Sequence, residues 1–344
     1  MELFGRIKMS AVASMELGTH TARMLVARSH GGAGVPEVQA RFRRYVRLAE
    51  GFEGRDRGMI SSRALERAVK AVGDLAFKAR QLGALEIRGV ATGLIREAVN
   101  REVLLEAVEK DAGVRLEIIS GEEEAVYTAK GILSALGRPS TPYLLFDLGG
   151  GTTEFIWETE GGLAVRSLSF GAAVLTERFL QEDPPLEAGL RAVEQFVESA
   201  LVSGLPGKDF FHPGPELIGS GGTATTLAAM VHEVEPDDVR PELMNGLVLE
   251  REALEGVYSR VAAVPESERD GLKGLDSGRA RVIPAGTLAI LGIMGYFGAR
   301  SMRVCLSDIL EGLLMDDTTP LSGVHTETPT GDDGERIRWE RKTR

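Results

Sequence analysis

Asp147-Leu148-Gly149-Gly150-Gly151-Thr152-Thr153-Glu154 is the stretch on which the reading of this chain turns. An acid, three glycines, two hydroxyls and a second acid stand between two apolar, strand-like runs, Tyr143-Leu144-Leu145-Phe146 and Phe155-Ile156-Trp157. Three glycines let the backbone turn sharply and bring its N–H groups close to an anion. Thr152 and Thr153 add hydroxyl donors, and Asp147 and Glu154 can hold a hard cation that in turn holds phosphate. A glycine-rich hairpin turn is the plain alternative. Acids at both ends count against it, because an ordinary turn does not need them.

Working outward, a weaker copy lies 131 residues upstream: Glu16-Leu17-Gly18-Thr19-His20-Thr21-Ala22-Arg23, between the strand-like runs Ala11–Met15 and Met24–Arg28. Both copies run acid, Leu, Gly, two residues, Thr. The spacing is about one domain length, so the expectation is a duplicated domain with one phosphate loop per copy facing a shared cleft, where ligands usually bind. Helical and strand-like periods alternate around both copies, which points to α/β. Leu65, Val69, Val72, Leu75, Ala76, Ala79 and Leu82 recur at helical spacing, with Ser61 and Ser62 as N-caps and Gly83 as a stop. Further helices are predicted near 100–112, 121–136, 172–180, 186–201, 224–231, 250–264 and 285–297. A strand at 216–219 enters a second glycine loop, Gly219-Ser220-Gly221-Gly222-Thr223. Residues 137–142 read as a linker. The expected division is therefore 1–136 for domain I, with a short helix near 307–316 packing back on it, 137–316 for domain II, and a disordered polar tail at 317–344.

The whole chain sets outer bounds. Its 344 residues suffice for two domains. Net charge is −11, from 51 acids against 40 bases, so the basic footprint of a general nucleic-acid or membrane-surface binder is missing. A local arginine cluster still admits an anionic substrate, and Arg41, Arg43, Arg44 and Arg47 read either as guides for a polyanion or as a solvated strand face. Cys305 is the only cysteine. An internal disulfide and a thiolate metal cage are thereby excluded, and Cys305 itself reads as a packed strand residue. The N-terminus lacks a signal-peptide layout, and the apolar run 282–298 is interrupted by Pro284 and glycines, so it reads as a buried helix. No membrane partner and a cytoplasmic location are expected.

Six segments in order carry a resemblance to a known family: Glu16–Leu25, Val46–Gly51, Ala91–Asn100, Ile119–Ala125, Asp147–Glu154 and Gly221–Ala228. From about residue 11 to about residue 315 the chain resembles the exopolyphosphatase / guanosine pentaphosphate phosphohydrolase (Ppx/GppA) family in its short form. That family belongs to the acetate and sugar kinase, heat-shock chaperone and actin superfamily. The resemblance implies two duplicated actin-like (ribonuclease H-like) domains with an interdomain cleft, and no HD-type metal domain. It implies hydrolysis of a terminal phosphoanhydride in polyphosphate or guanosine pentaphosphate, assisted by Mg2+ or Mn2+, in a protein often found as a homodimer.

Carried over residue by residue, Glu124 matches the catalytic base and Arg96 the guanidinium clamp. Asp147, Glu154 and Glu16 match the metal-binding acids. Gly18, Thr19, Arg23, Gly149, Gly150, Gly151, Thr152, Gly221, Gly222 and Thr223 match the phosphate-binding segments. The plain reading of Glu122, Glu123 and Glu124 is a helix N-terminus stabilised through its dipole. Four departures stand out. Glu16 replaces an aspartate, His20 an asparagine, Val126 an arginine, and Arg281 the aspartate of an Arg-Ala-Asp run. They motivate an alternative, a weakly active or inactive protein that binds polyphosphate or an alarmone. A sugar or acid kinase of the same superfamily is the third reading.

Overall fold

A computed structural model of the chain describes residues 11–28, 37–52, 58–160, 162–211 and 214–315; the polar tail lies outside them. Eleven strands are described: β1 (Ala11–Leu17), β2 (Thr21–Arg28), β3 (Glu37–Tyr45), β4 (Ala84–Ala91), β5 (Leu116–Ile118), β6 (Tyr143–Leu148), β7 (Thr153–Thr159), β8 (Gly162–Leu168), β9 (Glu216–Ser220), β10 (Val248–Glu250) and β11 (Ser301–Val304). The helices are α1 (Ser62–Gln81), α2 (Arg101–Ala112), α3 (Gly121–Leu136), α4 (Ala172–Phe179), α5 (Glu187–Gly204), α6 (Gly221–Val231), α7 (Pro241–Met244), α8 (Arg251–Ala263), α9 (Glu266–Arg269), α10 (Ile283–Tyr296) and α11 (Ile309–Leu314).

The strands form two sheets, ordered β3-β2-β1-β4-β5 and β10-β11-β9-β6-β7-β8. In the first, β3, β2 and β1 are antiparallel and β1, β4 and β5 parallel. In the second, β8, β7 and β6 are antiparallel and β6, β9 and β11 parallel, with β10 added antiparallel at the edge. Set β10 aside and the second sheet repeats the first strand for strand. These are two actin-like α/β domains, and the duplication read from the two acid-Leu-Gly runs extends to the whole sheet.

Packing divides the described residues into two units, 11–120 with 309–315, and Gly121–Asp308. The expected boundary after Leu136 differs from this. Ala125, Ala129 and Ile132 of α3 pack with Tyr143, Leu145, Ile156, Leu163, Val165 and Ile218 on one face of the second sheet, so α3 belongs to that sheet. In the first unit α11 returns to pack on β1 and β2. Ser14 Oγ donates to the Leu310 carbonyl at 2.7 Å, and Arg41 of β3 is ion-paired with buried Glu311.

Local sequence accounts for the helices. Ser61 caps α1 by accepting from the Ala64 N–H, and Ala64, Ala68, Val72, Leu75 and Ala79 form its buried stripe. Helix α10 is buried nearly all round and forms the centre of the larger core, where it meets α4, α5, α6 and α8. No described helix is long and apolar enough to cross a membrane. Cys305 is buried immediately after β11.

Candidate active site

In the second unit, β6 and β7 are joined by the triglycine turn, closed by a bond from the Gly149 N–H to the Thr152 carbonyl at 3.0 Å. The Gly149 carbonyl accepts from Ala172 N–H (3.0 Å), and the Gly150 carbonyl from Ala173 and Val174 (2.9 and 3.0 Å). The first turn of α4 is thus spent on loop carbonyls. Both peptides are trans, since the one cis bond among the described residues is Asp183-Pro184. A trans peptide points its C=O and the following N–H in opposite directions. The N–H groups of Gly150 and Gly151 therefore point away from α4, side by side, as an anion-binding turn requires.

Behind the turn, register places Asp147 opposite Glu154, Glu154 opposite Ser167, and Asp147 beside Ser220. These four form a polar row across β8, β7, β6 and β9. Strand alternation fixes its face. Leu144, Phe146 and Leu148 enter the large core, whereas Tyr143 and Leu145 meet α3, so Asp147 lies on the α3 face. Asp147 and Glu154 are buried, and Ser167 donates to Glu154 Oε1 at 2.7 Å.

Helix α3 runs back over β6. Its 16 residues span about 24 Å, and the six-residue link 137–142 joins its C-terminus to the start of β6. Its N-terminus consequently lies at the Asp147 end of the sheet. There Glu124 is buried while Glu122 and Glu123 are exposed. Dipole stabilisation explains the exposed pair; it does not require the third carboxylate to be buried.

The residues fit a magnesium ion. Two like-charged carboxylates on adjacent strands are mutually unfavourable without a cation. An all-oxygen set of one or two carboxylates, leaving room for water and phosphate, is what Mg2+ takes. Among the described residues no cluster of three or more His, Cys, Asp or Glu side chains forms a protein-only cage.

The Gly219–Thr223 segment differs from the expected loop: β9 passes directly into α6 at Gly221. One residue makes the turn because Gly221 has φ +89°, a conformation that L side chains rarely adopt. Its missing side chain leaves room for Asp147 Oδ1 and for the Leu148 carbonyl. Gly222 leaves room for the guanidinium of Arg279, which is buried. Thr223 is buried against Gly286 of α10, so packing accounts for its side chain.

The segment carrying Arg279 is itself held by Arg269, 1 % exposed. Arg269 donates to the carbonyls of Val261 (2.6 Å) and Ala280 (3.1 Å) and pairs with Asp183 at 3.0 Å. Burial lowers its pKa, and Asp183 opposes that shift. Arg281, one of the departures, pairs with Glu177 of α4 at 3.2 Å. Arg279 and Arg269 were not among the expected site residues. The Arg279-Ala280-Arg281 run was visible in sequence, but nothing local in it indicates a guanidinium lying on the first turn of α6.

The first unit carries the matching hairpin. Gly18 N–H bonds to the Thr21 carbonyl at 2.9 Å, the counterpart of Gly149 and Thr152. Register pairs Glu16 with Arg23, the counterparts of Asp147 and Glu154. Arg23 donates from Nε (2.7 Å) and Nη2 (2.5 Å) to Glu16 Oε2, while the Thr92 hydroxyl donates to Oε1 at 2.9 Å. The Thr19 hydroxyl oxygen accepts from Leu94 N–H at 2.9 Å and so fastens the 3-10 turn Gly93–Arg96 to the loop.

Val46–Leu48 leave the strand that ends at Tyr45. Val46 and Arg47 donate to the His20 carbonyl and Leu48 to the Thr19 carbonyl. Arg67 of α1 holds this turn through the Val46 and Arg47 carbonyls and Glu50. His20 meets Tyr45 edge-on at 5.4 Å. Arg96 Nη1 reaches the Ile119 carbonyl at 3.5 Å. Of the β3 arginines, Arg41 pairs with Glu311, Arg43 lies over the Tyr45 ring, and Arg44 lies 4.0 Å from Asp74.

Known proteins resemble the chain over most of its length. A model of the Ppx/GppA phosphatase family matches residues 25–320. Exopolyphosphatase 2 of Mycobacterium tuberculosis is 29 % identical over 322 residues, covering 89 % of this chain and 98 % of the relative. The guanosine-5'-triphosphate,3'-diphosphate pyrophosphatase of Vibrio parahaemolyticus is 26 % identical, covering 88 % of this chain and 58 % of the relative. Among solved structures, the Aquifex aeolicus PPX-GPPA enzyme is 26 % identical with a TM-score of 0.68, covering 89 % of this chain and 99 % of that one. The class defined is a phosphate-releasing hydrolase built on two actin-like domains. Within that class, the chain belongs to the Ppx/GppA phosphatase family.

Proposed function

We propose that the chain removes terminal orthophosphate from inorganic polyphosphate, guanosine pentaphosphate or both, with Mg2+ or Mn2+ and a water activated by Glu124. The observation that carries this reading is the second hairpin: two outward N–H groups at Gly150 and Gly151, backed by buried Asp147 and Glu154 on the face that α3 covers. The relatives named exopolyphosphatase and guanosine pentaphosphate pyrophosphatase supply the two substrate classes.

In this mechanism the Gly150 and Gly151 amides, with Thr152, bind the terminal phosphoryl oxygens and orient the phosphorus for in-line attack. Asp147 and Glu154 would hold the divalent ion, which when bound neutralises phosphate charge. Glu124 takes a proton from water as its oxygen bonds to the terminal phosphorus. The bridging P–O bond breaks, and its electron pair leaves on the shortened chain. Arg96 and Arg23, in the first unit, carry guanidinium groups of the kind that match phosphate oxygens.

The test is released orthophosphate from long polyphosphate, short polyphosphate, guanosine pentaphosphate and ATP, each with and without Mg2+. Metal-dependent release from at least one of the first three supports the reading. Transfer from ATP to a sugar, or no release from any substrate, overturns it. A weakly active sensor is the second reading, favoured by the Glu16 substitution and its engagement with Arg23. Tight binding without turnover is its signature.

A further inference from the structure

The two hairpins share turn, register and strand order, yet their cross-strand pairs carry different charge. Asp147 faces Glu154 in the second; Glu16 faces Arg23 in the first. Glu16 is 7 % exposed, and both its oxygens are engaged, Oε2 by Nε and Nη2 of Arg23 and Oε1 by the Thr92 hydroxyl. Thr92 is itself fixed, since its N–H bonds to the Leu17 carbonyl at 3.0 Å and it opens the 3-10 turn held by Thr19. The carboxylate sits under the turn, its Oε1 3.5 Å from where a Cβ on Gly18 would stand.

A carboxylate tied to a guanidinium on one oxygen and a hydroxyl on the other brings little net charge to a cation. It does fix the plane of the guanidinium. Two N–H bonds to one oxygen, from adjacent nitrogens of a rigid fork, leave Arg23 little freedom to swing.

We propose that Glu16 is a positioning residue that orients Arg23 toward substrate phosphate, with Thr92 holding Glu16 in turn, and that it is not a ligand of the divalent ion. The proposal rests on the hydrolase reading above and specifies how the guanidinium of the first hairpin is aimed.

The experiment is a double-mutant cycle on the full chain. Tripolyphosphate binding is measured by calorimetry in Mg2+, beside polyphosphate turnover as KM and kcat. Glu16→Gln and Thr92→Val should each weaken tripolyphosphate binding and raise KM about tenfold, the scale of one lost charge-assisted contact. The Mg2+ concentration for half-maximal rate should stay unchanged. Glu16→Gln combined with Arg23→Ala should behave as Arg23→Ala alone, because one device has been removed twice. Thr92→Ser, which keeps the hydroxyl, should restore wild-type binding.

A rise in the Mg2+ requirement on Glu16→Gln, with effects additive to Arg23→Ala, overturns the proposal and makes Glu16 a metal ligand. Unchanged tripolyphosphate affinity in Arg23→Ala overturns it as well. If wild type hydrolyses nothing, the hydrolase reading fails while the calorimetric cycle still decides the role of Glu16. Thermal unfolding of each variant separates these outcomes from loss of fold.

Discussion

Asp147 and Glu154 face each other across adjacent antiparallel strands, both buried, at the mouth of a turn whose amides point outward. Like charges directly opposite each other on paired strands repel. Asp147→Asn should therefore leave metal-free stability unchanged or raise it. It should also remove the stabilisation that Mg2+ gives by binding the native state and lower turnover about 100-fold or more. Melting curves with EDTA and with Mg2+ check this. A full Mg2+ shift in the variant would show that the acids do not share an ion.

Glu124 is the one member of Glu122–Glu124 that the fold buries, at the end of α3 nearest Asp147. Glu124→Gln keeps shape and removes the basic oxygen, so turnover should fall about 100- to 10,000-fold with an unchanged melting curve. Glu122→Gln and Glu123→Gln should retain near wild-type rates. Equal losses at all three positions would point to the helix dipole instead.

How much of this was legible in the sequence follows from the range of each interaction. The duplicated α/β fold was, because acid, Leu, Gly and Thr recur at matching offsets in two strand-flanked turns, and those offsets fix register in both hairpins. The side of the boundary to which α3 belongs was not, since its buried stripe suits either sheet and only packing chooses. The turn before α6 reads as a loop because five small residues in a row, Gly219–Thr223, look like one, whereas a single residue with positive φ suffices. Arg279 and Arg269 escaped because their partners, Gly222, Val261 and Asp183, are distant in sequence or are backbone groups that carry no residue signature.

Alkaline pH should weaken the second unit. The phenols of Tyr143, Tyr258 and Tyr296 are all raised above their ordinary value, in each case first by burial; Glu158 adds to the shift at Tyr143, where Arg138 opposes it, and Glu194 adds at Tyr258. The folded state keeps these protons longer than the unfolded chain. Their contribution is fully present below an unfolded-state pKa of about 10 and is lost as pH rises through the higher folded values. Urea midpoints should hold to about pH 9 and fall above 10, and Tyr258→Phe should blunt the fall. Identical declines in wild type and Tyr258→Phe would remove that phenol from the explanation.

Gly221 and Gly222 are adjacent and should fail in different ways. At Gly221 a Cβ meets φ +89° and the backbone Leu148 oxygen at 2.5 Å, neither of which can move without disturbing β6. Gly221→Ala should cost at least about 1–2 kcal/mol from the left-handed conformation alone, and more from the contact. At Gly222 the atoms in the way are the far end of the Arg279 side chain, which can swing aside. Gly222→Ala should cost stability only through the contacts that the buried guanidinium gives up when it swings aside, while turnover falls at least tenfold because the guanidinium has lost its seat. Chemical denaturation and phosphate release on both variants separate the two effects. A Gly222→Ala protein with normal turnover would show that the position of Arg279 does not matter to the reaction.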